Sequence, residues 1–313
     1  MWKKAISKGG CDPALVQGSP AEVAIPDCHG DSKIGRLRTI NQDRFFIMSF
    51  TLKTIQDSSE GTPPAPPAIA TGYLIGVADG VGGAPAGERA SLLAAGTLKA
   101  FIQEESPGLL QPGLRDSEVV ETLGRGLRRC HAAIAEEVRR HPEYWGMATT
   151  LTAAVVLWPR LYVVHLGDSR AYLLRDGVLR RLTRDQTIAR SLVDAGVFDS
   201  KGADRSRWKH VVWNVLGGRI SSRDPEVHPE VHIEDLHAGD TLLLSTDGIS
   251  NPLTDETIRG LLVKGGSSEE ICRSLTDSAL EMRSQDDATV VVARFADPRG
   301  PAWNRITRSS EPQ

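Results

Sequence analysis

Residues 76–91 read GVADGVGGAPAGERAS. An apolar run ends on Asp79-Gly80, further glycines follow, and a helix-compatible segment begins near Gly87. Burying a strand end that carries a carboxylate is costly unless the charge is paired or meets a cation. A glycine-rich turn between strand and helix can also cradle phosphate at the helix N-terminus. That second reading fails on pattern. Pro85 stands where the third glycine of GxGxxG belongs, and no GK[ST] follows, so neither a dinucleotide fingerprint nor a Walker loop is present.

Outward from this stretch, the same feature recurs. Asp stands at the edge of an apolar strand in NQD (41–43), VADG (77–80), STDG (245–248) and QDDAT (285–289). One such Asp-Gly is ordinarily a turn, as Asp176-Gly177 is between YLLR and VLRRL. Several together imply mutual repulsion that a divalent cation would relieve. With oxygen ligands and no Cys or His beside them, Mg²⁺ or Mn²⁺ fits better than zinc. Gly80, lacking a side chain, would let a backbone carbonyl approach the ion or its waters.

Between these points the coarse elements follow from pattern. Strands are expected at RFFIMSF, TGYLIGVA, ATTLTAAVVLW, RLYVVHLG, RAYLLR, VLRRL, DTLLLS and ATVVVARF. Helices are expected at 87–103, with Leu92, Ala95, Leu98 and Ile102 on the apolar face, and at 117–140, where Val120, Leu123, Leu127, Ile134 and Val138 share a side and Gly124 and Gly126 weaken the middle. Two more fall at 254–264 and 268–283. Hairpins rather than repeated βαβ units connect the strands, which predicts an α+β fold with antiparallel sheets and helices outside. The Pro-rich QDSSEGTPPAPPAIA is a loop, and residues 1–30 read mostly as an irregular arm.

Composition excludes some functions. The chain has 313 residues, 40% hydrophobic and 25% charged, with a formal net charge of -3. No bulk basic footprint favours nucleic acid, and no apolar run approaches the roughly 20 residues of a membrane span. The N-terminus lacks the apolar core of a signal peptide. Cys11, Cys28, Cys130 and Cys272 are scattered without a CxxC pair, which argues against a zinc site or disulfide framework and for reduced thiols in the cytoplasm.

In order along the chain, RLRTINQDRF, VADGVGGAPAGERAS, GMATTLTAAVV, HLGDSRAYLLRDGVLRRLTRDQT, LLLSTDGISNPLTDETI and QDDATVVVARF resemble the motifs of the metal-dependent protein phosphatases (type 2C) in their bacterial form. The resemblance spans about residues 30–296. It implies a four-layer α-β-β-α sandwich over 31–296, an arm at 1–30, a flap-like segment at about 183–223 and a tail at 297–313. It also implies a serine/threonine phosphatase with two Mn²⁺ or Mg²⁺ ions. By motif matching, Asp79 bridges the ions, the Gly80 carbonyl contributes, and Asp247 and Asp286 complete the site. Asp43 is a further ligand candidate, and Asp168 of GDSR would hold a third ion with Asp247. Asp287 stands where the family usually has Asn, and is the lesser ligand candidate. Arg38 matches the phosphate-binding Arg, with Arg36 as competitor. Paired ions roughly 3.5–4 Å apart would make hydroxide available for in-line attack on phosphorus.

Two positions depart from other members: Gln42 replaces a Glu, and Val81 replaces the His found in eukaryotic members. His165 reads as a core histidine and Trp208 and Trp213 as packing residues, with substrate contact from the flap-like segment as the alternative for the two tryptophans. Arg175, Arg180, Arg181 and Arg184 read as a solvated hairpin face, with an acidic phosphoprotein as the alternative. The expected partners are phosphorylated proteins made by a serine/threonine kinase, and the expected state is a monomer. Two rival readings stand beside this one: a non-catalytic pseudophosphatase binding module, and a phosphatase of anti-sigma-antagonist phosphoproteins. The intact aspartates oppose the first; GDSR and the long 183–223 segment oppose the second.

Overall fold

A computed structural model describes residues 27–53, 69–81, 86–199, 202, 206–218 and 227–295. Most of the N-terminal arm, most of the Pro-rich loop, Pro85 and the tail 297–313 lie outside the described residues. The strands are β1 (Asp27–Lys33), β2 (Arg44–Lys53), β3 (Ile69–Ala78), β4 (Ala148–Thr149), β5 (Leu151–Leu157) and β6 (Arg160–Leu166). They continue with β7 (Arg170–Arg175), β8 (Val178–Arg181), β9 (Leu216–Gly217), β10 (Glu230–Asp235), β11 (Thr241–Ser245) and β12 (Ala288–Arg294). The helices are α1 (Gly87–Leu109), α2 (Asp116–Arg140), α3 (Ile188–Asp194), α4 (Asp247–Ser250), α5 (Asp255–Lys264) and α6 (Ser268–Glu281).

Two five-stranded sheets form, ordered β1-β12-β11-β7-β8 and β10-β6-β5-β3-β2, and every pairing within them is antiparallel. Strand alternation explains how they stack. Ile75 and Val77 of β3 meet Leu242 and Leu244 of β11 and Val291 of β12 in a core between the sheets. Their neighbours point the other way. Leu74 packs with Leu98, Leu123 and Leu127 beneath α1 and α2, while Leu243, Val290 and Val292 pack with Ile258, Ile271 and Leu275 of α5 and α6. Both faces of each central strand are therefore buried, which is why TLLLS and ATVVVAR read as unbroken apolar runs. The result is an α+β, four-layer α-β-β-α sandwich. Truncating Leu244, fully buried at its centre, to Ala would cost about 2–5 kcal/mol.

Three local readings are corrected by this packing. Leu92 is exposed, not part of the buried face of α1. Gly126, which weakens α2 by propensity, is where α1 comes close: an added Cβ would stand 2.8 Å from Phe101. Strand β1, DCHGDSK, begins at Asp27 inside the stretch read as irregular. Its side chains are all only half-buried, so no apolar alternation announces it.

Candidate active site

The sandwich brings one end of several strands together. Strand β3 runs out at Ala78, and Asp79 is pinned there: its N–H donates to Thr150 Oγ1 at 3.1 Å, and its carbonyl accepts from Thr150 N at 2.8 Å and Thr149 Oγ1 at 2.8 Å. The next residue needs to be glycine because a Cβ on Gly80 would stand 2.5 Å from the backbone of Gly87, at the start of α1. Strand β11 ends at Ser245, Thr246 follows as the N-cap position, and Asp247 opens α4. Gly248 is tighter still, with an added Cβ only 2.0 Å from the Asp287 carbonyl oxygen. Beyond β6, Gly167 takes φ 113 and leads to Asp168. Ser169 Oγ then meets Thr150 Oγ1 at 2.9 Å, tying this turn to the Asp79 loop.

The β1–β2 connection closes the arrangement. Asp287 is buried, and its two carboxylate oxygens accept from Gly35 N at 2.9 Å and Gln42 N at 2.7 Å. Its carboxylate is thus spent on shaping the loop that carries Arg38. Arg38 faces Asp286 in a two-pronged pair, Nε to Oδ1 and Nη2 to Oδ2, both 2.7 Å. Gln42 Oε1 accepts from Arg38 Nη1 at 3.2 Å. Arg36 does not join this cavity; Arg38 does.

Arg38, Asp79, Asp168, Asp247 and Asp286 line one cavity of ≈540 Å³, with Val81 and Thr150 on its wall. Asp43 lies behind it, buried, where its Oδ2 accepts from Thr246 Oγ1 at 2.8 Å. The electrostatics record the convergence. Burial first, then the charges of Asp43, Asp247, Asp168 and Asp286, hold Asp79 well above the usual carboxylate range. Burial and the Asp247 charge do the same to Asp168. Burial also raises Asp43, beside Asp287 and Asp247 and against the pull of the Thr289 and Thr246 hydroxyls. Asp247 is pushed up to about 6, by burial and then by Asp286.

These residues suit a hard divalent cation. Asp247 Oδ1 is buried without a hydrogen-bond partner among the described residues, while Asn251 holds only the other oxygen, Oδ2, at 3.0 Å. Positive charge would relieve both the orphaned atom and the mutual repulsion. As the side chains stand, no three His, Cys, Asp or Glu among the described residues close around a single point, and Arg38 takes both oxygens of Asp286.

Other expectations sort clearly. His165 is a buried core histidine: Nδ1 accepts from Thr152 Oγ1 at 2.8 Å and Nε2 donates to the Arg184 carbonyl at 3.0 Å. Burial pushes it down to about 4, so it stays neutral. Trp208 and Trp213 are not packing residues; they are 36% and 52% exposed, with the Arg207 guanidinium 4.7 Å over the Trp208 ring. The hairpin arginines are not free for a partner. Arg175 pairs with Asp240, Arg180 with Glu234, Arg181 with Asp185 and Arg184 with Asp194.

Sequence reasoning missed the threonine platform of Thr149, Thr150, Thr246 and Thr289. The run ATTLT and the pair STDG held the only clue, hydroxyls at strand ends. It also missed Lys209, His210 and Arg283, which line the same cavity from outside the aspartate motifs.

A family model described as protein phosphatase 2C matches residues 68–283. Serine/threonine protein phosphatase PstP of Mycobacterium tuberculosis is 38% identical over 224 residues, covering 72% of this chain and 40% of that protein. The chain thus aligns with less than half the length of this curated relative. The crystal structure of the M. tuberculosis serine/threonine phosphatase PstP/Ppp is similar with a TM-score of 0.68 and 33% identity, covering 86% of this chain and 98% of that one. A structure of the PstP catalytic domain in complex with two manganese ions is similar with a TM-score of 0.66 at 33% identity, covering 86% and 98% of the two chains.

Proposed function

Because the chain belongs to the protein phosphatase 2C family, we propose that it is a metal-dependent protein phosphatase that hydrolyses phosphoserine and phosphothreonine in proteins. The observation that carries this reading is the cavity where Asp79, Asp168, Asp247 and Asp286 meet Arg38, with Asp247 Oδ1 buried and without a hydrogen-bond partner among the described residues.

Asp79, Asp247 and Asp286 would hold two divalent ions, Mn²⁺ or Mg²⁺, with the Gly80 carbonyl contributing and Asp168 available to a third. When bound, the ions supply Lewis acidity: activated water at neutral pH and compensation for phosphoryl charge. The chain's residues do the rest. Asp43, behind the cavity, steadies Thr246 and so the start of α4 that presents Asp247. Arg38, presented by the loop that Asp287 shapes, offers a planar fork suited to two phosphate oxygens. Asp286 engaged by a cation would free Arg38 for that role. Thr149 and Thr150 fix the Asp79 backbone, so the carboxylate need not reorganise as charge develops.

The substrates are phosphorylated proteins made by a serine/threonine kinase, the setting is the cytoplasm and the working state is a monomer. Among the described residues, no helix is long and apolar enough to cross a membrane. The test is hydrolysis of a phosphothreonine peptide with Mn²⁺, with and without chelator, beside Asp247→Asn. Turnover that chelator and the substitution both abolish is expected; turnover that survives either one overturns the metal-dependent reading.

A further inference from the structure

Three cations and a histidine face the cavity, in two settings. Arg38 is already engaged with Asp286. Lys209 and His210 come from the flap-like segment, and Arg283 from the turn between α6 and β12. These three stand at the mouth: His210 and Arg283 are exposed and Lys209 half-buried, whereas Asp79 and Asp168 are buried. The side chains of Lys209 and Arg283 have no hydrogen-bond or ion-pair partner among the described residues. The four arginines of the β7–β8 hairpin and its approach, by contrast, each have an internal carboxylate.

Arg283 is also costly where it stands. It takes φ 63, the left-handed region, just after the last turn of α6, with its N–H on the Leu280 carbonyl at 3.0 Å. Glycine is the usual residue at such a helix end, because a side chain is strained there. A bulky, unpaired cation at that point, aimed at the mouth of the cavity, argues for a use of its side chain.

We propose that Lys209 and Arg283 form a cationic rim that reads negative charge beside the phosphorylated residue, so that the preferred substrates are phosphothreonine or phosphoserine segments flanked by Asp, Glu or a second phosphate. This rests on the phosphatase reading above. The cations that the floor's carboxylates would bind, with Arg38, serve the phosphoryl being cleaved, and the rim's positive field is left for groups beside it. Such a field raises capture of acidic segments and weakens with salt.

Three phosphothreonine peptides of one core sequence, flanked by Glu, Gln or Lys, test it with the full chain in Mn²⁺ at low and high salt. The wild type is expected to favour the Glu-flanked over the Gln-flanked peptide in kcat/KM by roughly five- to tenfold, the range two exposed charge contacts supply, mostly through KM, and less so at high salt. Lys209→Ala with Arg283→Gly should erase the preference, while the charge reversal Arg128→Glu on the outer face of α2 should keep it. Arg283→Gly alone should narrow the preference while Tm holds or rises, since glycine suits that φ; a merely structural Arg283 would lower Tm instead. Equal turnover of the three peptides by the wild type, or a preference that survives the double substitution, overturns the rim alone. Failure to turn over any of them with Mn²⁺ demonstrably bound overturns the phosphatase reading and the rim with it.

Discussion

The dipeptide Asp-Gly occurs at 79–80 and again at 176–177, and the molecule uses it in opposite ways. At the β7–β8 tip both residues take positive φ, 51 and 75, and a Cβ on Gly177 would meet nothing within 4 Å. Glycine is there for conformational freedom. At the end of β3 a Cβ on Gly80 would strike the backbone of Gly87, and Asp79 is buried among other carboxylates. Glycine is there because two backbones must touch, and Asp because charge must gather. Identical letters thus carry different physics, and the partners brought by the fold decide which.

Four substitutions break or sharpen that contrast. Asp79→Asn should lower kcat/KM on a phosphothreonine peptide by at least about a hundredfold, whereas Asp176→Asn should leave it unchanged, since Asn also tolerates the turn. Gly248→Ala, where the Asp287 carbonyl stands 2.0 Å from the added carbon, should cost about 3 kcal/mol in denaturant unfolding. Gly177→Ala should cost only about 1 kcal/mol, the strain of a positive φ.

Between these in size lies a pH effect. Asp247 moves from an ordinary 3.8 to about 6 in the folded chain. The native state therefore binds more protons than the unfolded one, and this residue's contribution to stability is lost as pH rises through about 6. Buried His165, held near 4, has the opposite sign across that window but is common to both proteins compared. In chelator, the Tm of Asp247→Asn relative to wild type should climb from pH 4 to 7, and Mn²⁺ should reverse the difference at pH 7. A difference that is flat with pH would mean that the carboxylates do not strain the apo fold.

The fold was legible because both faces of the central strands are apolar and the helices carry spaced apolar residues. Strand β1 was not, because a half-buried polar edge strand leaves no alternation to read. The site was legible where carboxylates sit on strand ends, in an order that resembles a family. Its supports were not. In sequence the family pattern only ranks Asp287 below Asp286 as a ligand; its bonds from the amides of Gly35 and Gln42, some 245 residues or more away, show what it does instead. Trp208 and Trp213 read as packing residues because aromatic surface usually is buried, yet they are 36% and 52% exposed.

The first described strand, β1, zips along its whole length against the last, β12, with Asp27 opposite Arg294 and Lys33 opposite Ala288. A nascent chain leaving the ribosome must therefore wait for β12 before the loop bearing Arg38 can be seated. Closure across so long a span is slow. Until then the freshly made polypeptide has no assembled active centre, and a message truncated before β12 would yield protein that is silent rather than partly working.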